Sequence, residues 1–284
     1  MTTSKHYIAL GIEYSGTKFH GSQYQPQQRT VQSVLVDAVS AVAADRIEIE
    51  FAGRTDSGVH ATSQIASFET NANRDSTAWL RGTNANLPND IRLHSVQKVE
   101  ENFDPRRTAR WRRYMYILGM SRIVPAIGGE FAFWTPFDLD AELMNASAQC
   151  LLGEQDFSSF RAAQCQSISP SRCVHWVSVH QFSDLIVLDI VANAFLLRMV
   201  RNIMSSLIAV SRGDISDVSV LLKARDRVLC PPTAPPNGLY LVQIAYSQYP
   251  ELSKLHPPRL LGPTSALPIF DAKDFPDVRP KLKP

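Results

Sequence analysis

The spacing of apolar residues switches between strand and helix periods in the order strand, helix, strand, strand, helix, strand, and then does so a second time. In the first half, residues 7 to 14 alternate, with Ile8, Leu10, Ile12 and Tyr14 on one face. Val31, Val34, Leu35, Ala38, Val39 and Val42 follow at helical spacing, behind Thr30 as a candidate N-cap. Ile47, Ile49 and Phe51 alternate up to Gly53, and alternation resumes at Gln64, Ala66 and Phe68. A helix near residues 75 to 85 and a strand over 91 to 99 complete the set.

In the second half, residues 114 to 118 read as a strand, and a helix from about Asp138 is expected to stop at Gly153 as its C-cap. Residues 173 to 182 and 185 to 192 read as paired strands, the second apolar on both faces and therefore central. A helix from Ala194 puts Leu196, Met199, Val200, Ile203, Leu207 and Val210 on one face and Arg198, Arg201, Asn202 and Ser205 on the other, and Gly213 ends it. A short helix over 218 to 224, a Pro-rich link over 231 to 236 and a strand over 239 to 246 follow. The pattern predicts an α+β fold of two ferredoxin-like (βαββαβ) halves with a mainly antiparallel sheet, over residues 1–107 and 108–247. The halves share architecture and no sequence identity. Residues 248–284 carry eight of the 18 prolines and are expected to be an extended or weakly ordered tail.

With 284 residues, 44% hydrophobic and 20% charged, the chain can bury one large or two medium cores. No charged segment followed by an apolar run opens the chain, and no apolar run is long enough to span a bilayer, so neither export nor membrane insertion is expected and the cytoplasm is the expected location. Cys150, Cys165, Cys173 and Cys230 form no Cys-x-x-Cys pair and read as reduced, mostly buried thiols. His175 and His180 are five apart, an interval that turns them to opposite faces of a strand, so no metal site is expected. Gly16-Thr17-Lys18 has the residue order of a phosphate loop reversed and is rejected as one.

The chemistry is expected between the strands that flank Gly53 and Gly58, where Arg54-Thr55-Asp56-Ser57 forms a loop on two rigid ends. Asp-Ser-Gly is also an ordinary turn sequence, so the loop alone names no reaction. Net charge is only +2, but five arginines, Arg106, Arg107, Arg110, Arg112 and Arg113, fall within eight residues around Trp111. Arginine forks suit phosphate, which points to RNA, while pairing with Glu100, Glu101 and Asp104 would make the same run a solvated surface.

GRTDSGVHA, at residues 53 to 61, resembles the signature of the tRNA pseudouridine synthase A family. NANLP at 84, RRYMY at 112, LLGEQDFSSFRAAQCQS at 151, MVRNI at 199 and GLYLV at 238 resemble that family in the same order, so the likeness covers roughly residues 5 to 247. One departure is Gly21-Ser22-Gln23, where the family usually has Gly-Trp-Gln; it is expected to touch local packing and no catalytic role.

The resemblance implies a pseudouridine synthase fold and the cofactor-free isomerisation of uridine at positions 38, 39 and 40 in the tRNA anticodon arm, by a homodimer holding the tRNA. It implies that Asp56 is the catalytic aspartate, that Arg201 pairs with it, that Tyr114 stacks on the target base, and that Arg54 enters the stack when the base is flipped. Arg106, Arg107 and Arg110 are the expected phosphate contacts. Two other readings compete: a catalytically silent RNA-binding module of two ferredoxin-like halves, and a hydrolase using Asp56 and His60. The first lacks the aromatic RNP1 pattern on any strand, and the second lacks an acid other than Asp56 in the loop.

Overall fold

The computed structural model describes residues 5–262 and 267–279. Its elements run β1 (His6–Tyr14), α1 (Val31–Ala43), β2 (Glu50–Phe51), β3 (His60–Thr70), α2 (Ser76–Asn86), β4 (Ile91–Val99), β5 (Trp111–Met120), β6 (Phe133–Thr135), α3 (Ala141–Ala148), β7 (Gly153–Asp156), β8 (Ser171–Phe182), β9 (Leu185–Ala192), α4 (Met199–Ser211), α5 (Val218–Ala224) and β10 (Leu239–Ala245). They group into two units, one of Met1–Ala109, Leu241–Pro258 and Pro268–Ala272, the other of Arg110–Tyr240, Arg259–Leu267 and Lys273–Pro284.

In the first unit β1 is antiparallel to both β3 and β4, and β10 lies next to β3. Thr30 caps α1 as expected, accepting from the Ser33 N–H while the Ser33 hydroxyl accepts from Thr30. Val31, Leu35, Ala38, Val39 and Ala43 form its buried stripe. The strand expected over 47–51 is shorter, because only Glu50 and Phe51 find ladder partners, Ser67 and Ala66. Ile47 and Ile49 are buried all the same.

Strand β3 begins at His60, earlier than the alternation indicates, and every residue in it except Glu69 is buried. Cover on both faces explains this. Phe68 meets Trp79 of α2 edge to face at 5.1 Å. On the other side Thr62 donates to the carbonyl of His256, whose ring lies 4.2 Å from that of His94. The tail is therefore packed: single 3-10 turns are its only regular structure among the described residues, but Leu252, Leu267 and Ala272 are buried. Gln243 fixes it further, donating to the carbonyls of Ser253 and Phe270 at 2.7 and 3.0 Å.

In the second unit β9 pairs antiparallel with β5 and β8 and is buried throughout, the central place its sequence predicts. Two short strands, β6 parallel to β5 and β7 antiparallel to β8, extend the expected order. Gly153 is not the C-cap of α3, which stops at Ala148; a 3-10 turn intervenes and Gly153, at φ +84°, opens β7. Helix α4 starts at Met199, five residues later than Ala194. Its expected polar face is only partly polar in surroundings, since Asn202 and Ser205 are buried. Asn202 donates to the Phe160 carbonyl at 2.8 Å and accepts from Arg227 and Thr233. Of the four thiols, all free, only Cys230 is buried and the others are half-buried.

The costliest polar element of this core is Arg113, fully buried on β5, which binds Asp189 of β9 through two bonds of 2.8 and 2.6 Å. Arg113 stands opposite Val191 and Asp189 opposite Met115, so the two side chains meet diagonally on one face. Removing either charge strands the other, and Arg113→Ala or Asp189→Ala should each cost about 3–5 kcal/mol in urea unfolding. The double change Arg113→Met, Asp189→Leu should lie nearer the parent than either single variant.

A second test concerns pH. Burial, and then the charge of His256, push His94 down to about 4. The folded state thus holds fewer protons than the unfolded one between that value and about 6.5, so stability is full above 6.5 and falls as pH drops towards 4, by about 3 kcal/mol from His94 alone. Glu13 and Lys254, which act on His256, modulate the same limb. Unfolding free energy against pH should show this acid limb in the parent and a shallower one in His94→Gln.

Candidate active site

Residues 52–59 leave β2 and return to β3 under a dense set of restraints from the N-terminal segment. The Ala52 N–H donates to the Ile65 carbonyl, and Gln64 donates to the Gly53 carbonyl, both at 2.8 Å. Thr55 is clamped three times: its N–H donates to the Ser22 hydroxyl at 2.9 Å, its carbonyl accepts from the Ser22 N–H at 3.1 Å, and its hydroxyl meets that of Tyr14 at 2.8 Å. Burial pushes the Tyr14 phenol up to about 12, so it stays neutral at working pH. The next residue, Asp56, is half-buried, and its carbonyl accepts the Val59 N–H at 3.1 Å to close a turn. Gly58 holds φ +80° in the third position, the place a type II turn gives to glycine. Gly16 lets the first segment come close, since a Cβ there would lie 2.0 Å from the Val59 carbonyl oxygen.

Arg54 is exposed on this loop and Thr55 buried beneath it. His60 is not a surface base: it is buried, and its Nδ1 accepts the Gly16 N–H at 3.1 Å. That counts against the hydrolase reading. The loop and both its anchors belong to the first unit, as Asp56 and Arg54 do, whereas Tyr114 and Arg201 belong to the second.

In the second unit Tyr114 stands on β5 opposite Ile190, 9% exposed, with Phe195 edge to face at 5.0 Å. Tyr116, on the same face of β5, donates to the Pro235 carbonyl at 2.7 Å. Arg201, half-buried in the first turn of α4, donates through Nε to the neighbouring Ala234 carbonyl at 2.8 Å. The link at 231–235 therefore brings Arg201 to the side of the sheet that carries Tyr114.

The arginine run does not form one surface. Arg106 and Arg107 are exposed, and Asp104 caps their turn by accepting both backbone N–H groups at 2.8 Å. Arg107 also approaches the Asp104 carboxylate at 3.6 Å, but with a side chain 88% exposed that contact is worth little. Arg110 turns to the C-terminal segment instead, reaching the Phe275 carbonyl at 3.2 Å and Asp277 at 3.7 Å. Arg112 donates to the Asn193 carbonyl, and Arg113 is the buried partner of Asp189. A charge count over eight residues missed that strand alternation separates them.

Ser22, Tyr14 and Gln64 position the loop, and of these only Ser22 carried a sequence signal, as the departure from Gly-Trp-Gln. Ser22→Ala should leave the buried Thr55 N–H without its acceptor. We expect a loss of about 1–3 kcal/mol in urea unfolding, and at least a tenfold slower turnover as the Asp56 loop loosens. Parent-like stability and rate would mean that Ser22 does not hold the loop.

A family model described as tRNA pseudouridine synthase matches residues 11–106 and 147–247 of this chain. The tRNA pseudouridine synthase A of Haemophilus influenzae is 49% identical over 258 residues, 90% of this chain and 94% of that protein. Those of Shewanella loihica and Cronobacter sakazakii are each 47% identical over 90% of this chain, and 97% and 94% of their own lengths. The matches run through both halves and nearly the full length of these relatives, and the chain belongs to the tRNA pseudouridine synthase family.

Proposed function

We propose that this enzyme isomerises uridines 38, 39 and 40 in the anticodon arm of tRNA to pseudouridine, with Asp56 as the catalytic carboxylate and no cofactor. The observation that carries the reading is the family signature GRTDSGVHA folded as a clamped loop with a half-buried carboxylate. In the reaction the N1–C1′ bond breaks, the uracil rotates, a C5–C1′ bond forms, and the C5 proton leaves to solvent while N1 gains one. Asp56 attacks C1′ or removes the C2′ proton; either role needs one ionised, oriented carboxylate.

Arg201 pairs with Asp56 in this reading and orients its carboxylate. Tyr114, held by Phe195, stacks on the target base, and Arg54 fills the space the flipped base leaves. Arg106 and Arg107, both exposed, contact phosphates, whereas Arg110 is engaged with Asp277 and contributes less than the sequence alone indicates. The enzyme acts as a homodimer in the cytoplasm.

The test uses tRNA tritiated at uracil C5. Isomerisation releases that tritium to water without cutting the chain, a hydrolase would cut it, and a silent binding module would do neither. Asp56→Asn should release tritium at under about 1% of the parent rate while binding tRNA within a few-fold, because the arginines, not the acid, meet phosphates. A larger residual rate would move the catalytic role elsewhere.

A further inference from the structure

Arg161 and Arg172 share Ser167 on a loop that is bonded to Leu197, next to Arg198 at the start of α4, and among the described residues none of the three arginines has a carboxylate partner. Arg161 donates to the carbonyls of Cys165 and Ser167 at 2.7 and 2.6 Å. Arg172 donates to the Ser167 hydroxyl and to the carbonyls of Ser169 and Ser171 at 2.6, 3.0 and 2.6 Å. The two guanidinium groups thus converge on Ser167, bonded only to neutral oxygens. Arg172 is 4% exposed, and its Nε has no acceptor. Neutral oxygens solvate a buried guanidinium without cancelling its charge, so this loop keeps a positive field that nothing in it balances. The nearest acid along the chain, Asp156, already faces Arg225 at 3.6 Å.

The same loop is clipped to the start of α4. The Ala162 N–H donates to the Leu197 carbonyl at 3.1 Å, and the Leu197 N–H to the Cys165 sulfur at 3.5 Å. Burial pushes the Cys165 thiol up, but N–H groups of Leu197 and Ser167 and the Arg161 guanidinium outweigh it and hold the thiol below its ordinary range, in keeping with a positive surrounding. Arg198 follows directly. It is exposed, serves as N-cap of the 13-residue α4 without a capping side-chain bond, and holds the left-handed conformation at φ +63°. That backbone costs a long side chain about 1–2 kcal/mol where glycine would adopt it freely. An exposed cation at a helix N-terminus, following directly on the residue clipped to a loop with two uncompensated arginines, is an arrangement suited to an anion. Phe195, which braces Tyr114, lies three residues before it.

We propose that Arg161, Arg198 and the N-terminus of α4, with Arg172 supplying charge from beneath, seat a backbone phosphate of the bound RNA close to the Tyr114 ring. The inference rests on the tRNA-modifying reading given above. Its test is tRNA binding across a potassium chloride series for the parent, Arg198→Gly, Arg161→Lys and, as a control in the same unit, Arg225→Ala. Arg198→Gly should bind several-fold more weakly and flatten the slope of log affinity against log salt by about 0.7–0.9. Its melting temperature should stay level or rise, since glycine relieves the backbone; Arg198→Asn, another residue that accepts this conformation, should repeat the binding loss. Arg161→Lys keeps the charge and should keep the slope while losing affinity through the missing fork. Arg225→Ala should match the parent. If Arg198→Gly and Arg198→Asn both keep the parent's slope and affinity, the seat does not exist. If the slopes change as expected but the parent releases no C5 tritium, the seat stands and the isomerase reading fails.

Discussion

The clamp on Thr55 is the restraint on which the proposed chemistry depends. A catalytic loop between two strands has two opposed requirements: its acid must reach the substrate, and its backbone must not wander. Here the residue before the acid gives up its N–H, its carbonyl and its hydroxyl to Ser22 and Tyr14, and two residues beyond it Gly58 completes a closed turn. The backbone on either side of Asp56 is thus fixed, and adjustment is left to the carboxylate's own torsions. The partners are neutral, and Tyr14 stays neutral to about pH 12, so the clamp does not loosen with pH as an ion pair would.

Strand geometry explains why five neighbouring arginines have four different surroundings. Within β5 successive side chains point to opposite faces, so Arg113 goes into the core to meet Asp189 while Arg112, on the other face, meets the Asn193 carbonyl. Arg110 precedes the strand and holds the segment containing Phe275, whose ring packs against Trp111 and stacks on His175. Only Arg106 and Arg107, in the capped turn, are exposed. Charge density along a sequence is informative about a surface only where the backbone does not alternate.

The first unit was largely legible because its elements are fixed by local signals: the capping box at Thr30, the Asp75 cap of α2, and alternation in β1 and β4. What alternation could not indicate is the cover laid on β3 by residues far away in sequence, with His256 on Thr62 and Trp79 on Phe68. Asn202 was misread for a similar reason. Its helical position faces away from the apolar stripe, yet Arg227 and Thr233 bond to it and make part of the polar face a buried polar hub. Of the candidate site, the loop that carries Asp56 was readable from one motif. Ser22 was visible only as an exception, because its role is a hydrogen bond across 33 residues.

The Pro-rich link offers a reason why position 201 should be arginine and not lysine. Proline has no N–H, and a run at 231, 232, 235 and 236 gives a stiff segment whose carbonyls need donors from elsewhere. Two arrive from within the unit: the Tyr116 hydroxyl on Pro235 and the Arg201 Nε on Ala234. A guanidinium can spend Nε on that carbonyl and still present the edge formed by its terminal nitrogens, in a plane the first bond has fixed. An ammonium has one head on a flexible stem, and would have to choose between the link and a carboxylate. The link thereby does more than connect α5 to β10: through the Ala234 carbonyl it fixes the plane of the Arg201 guanidinium.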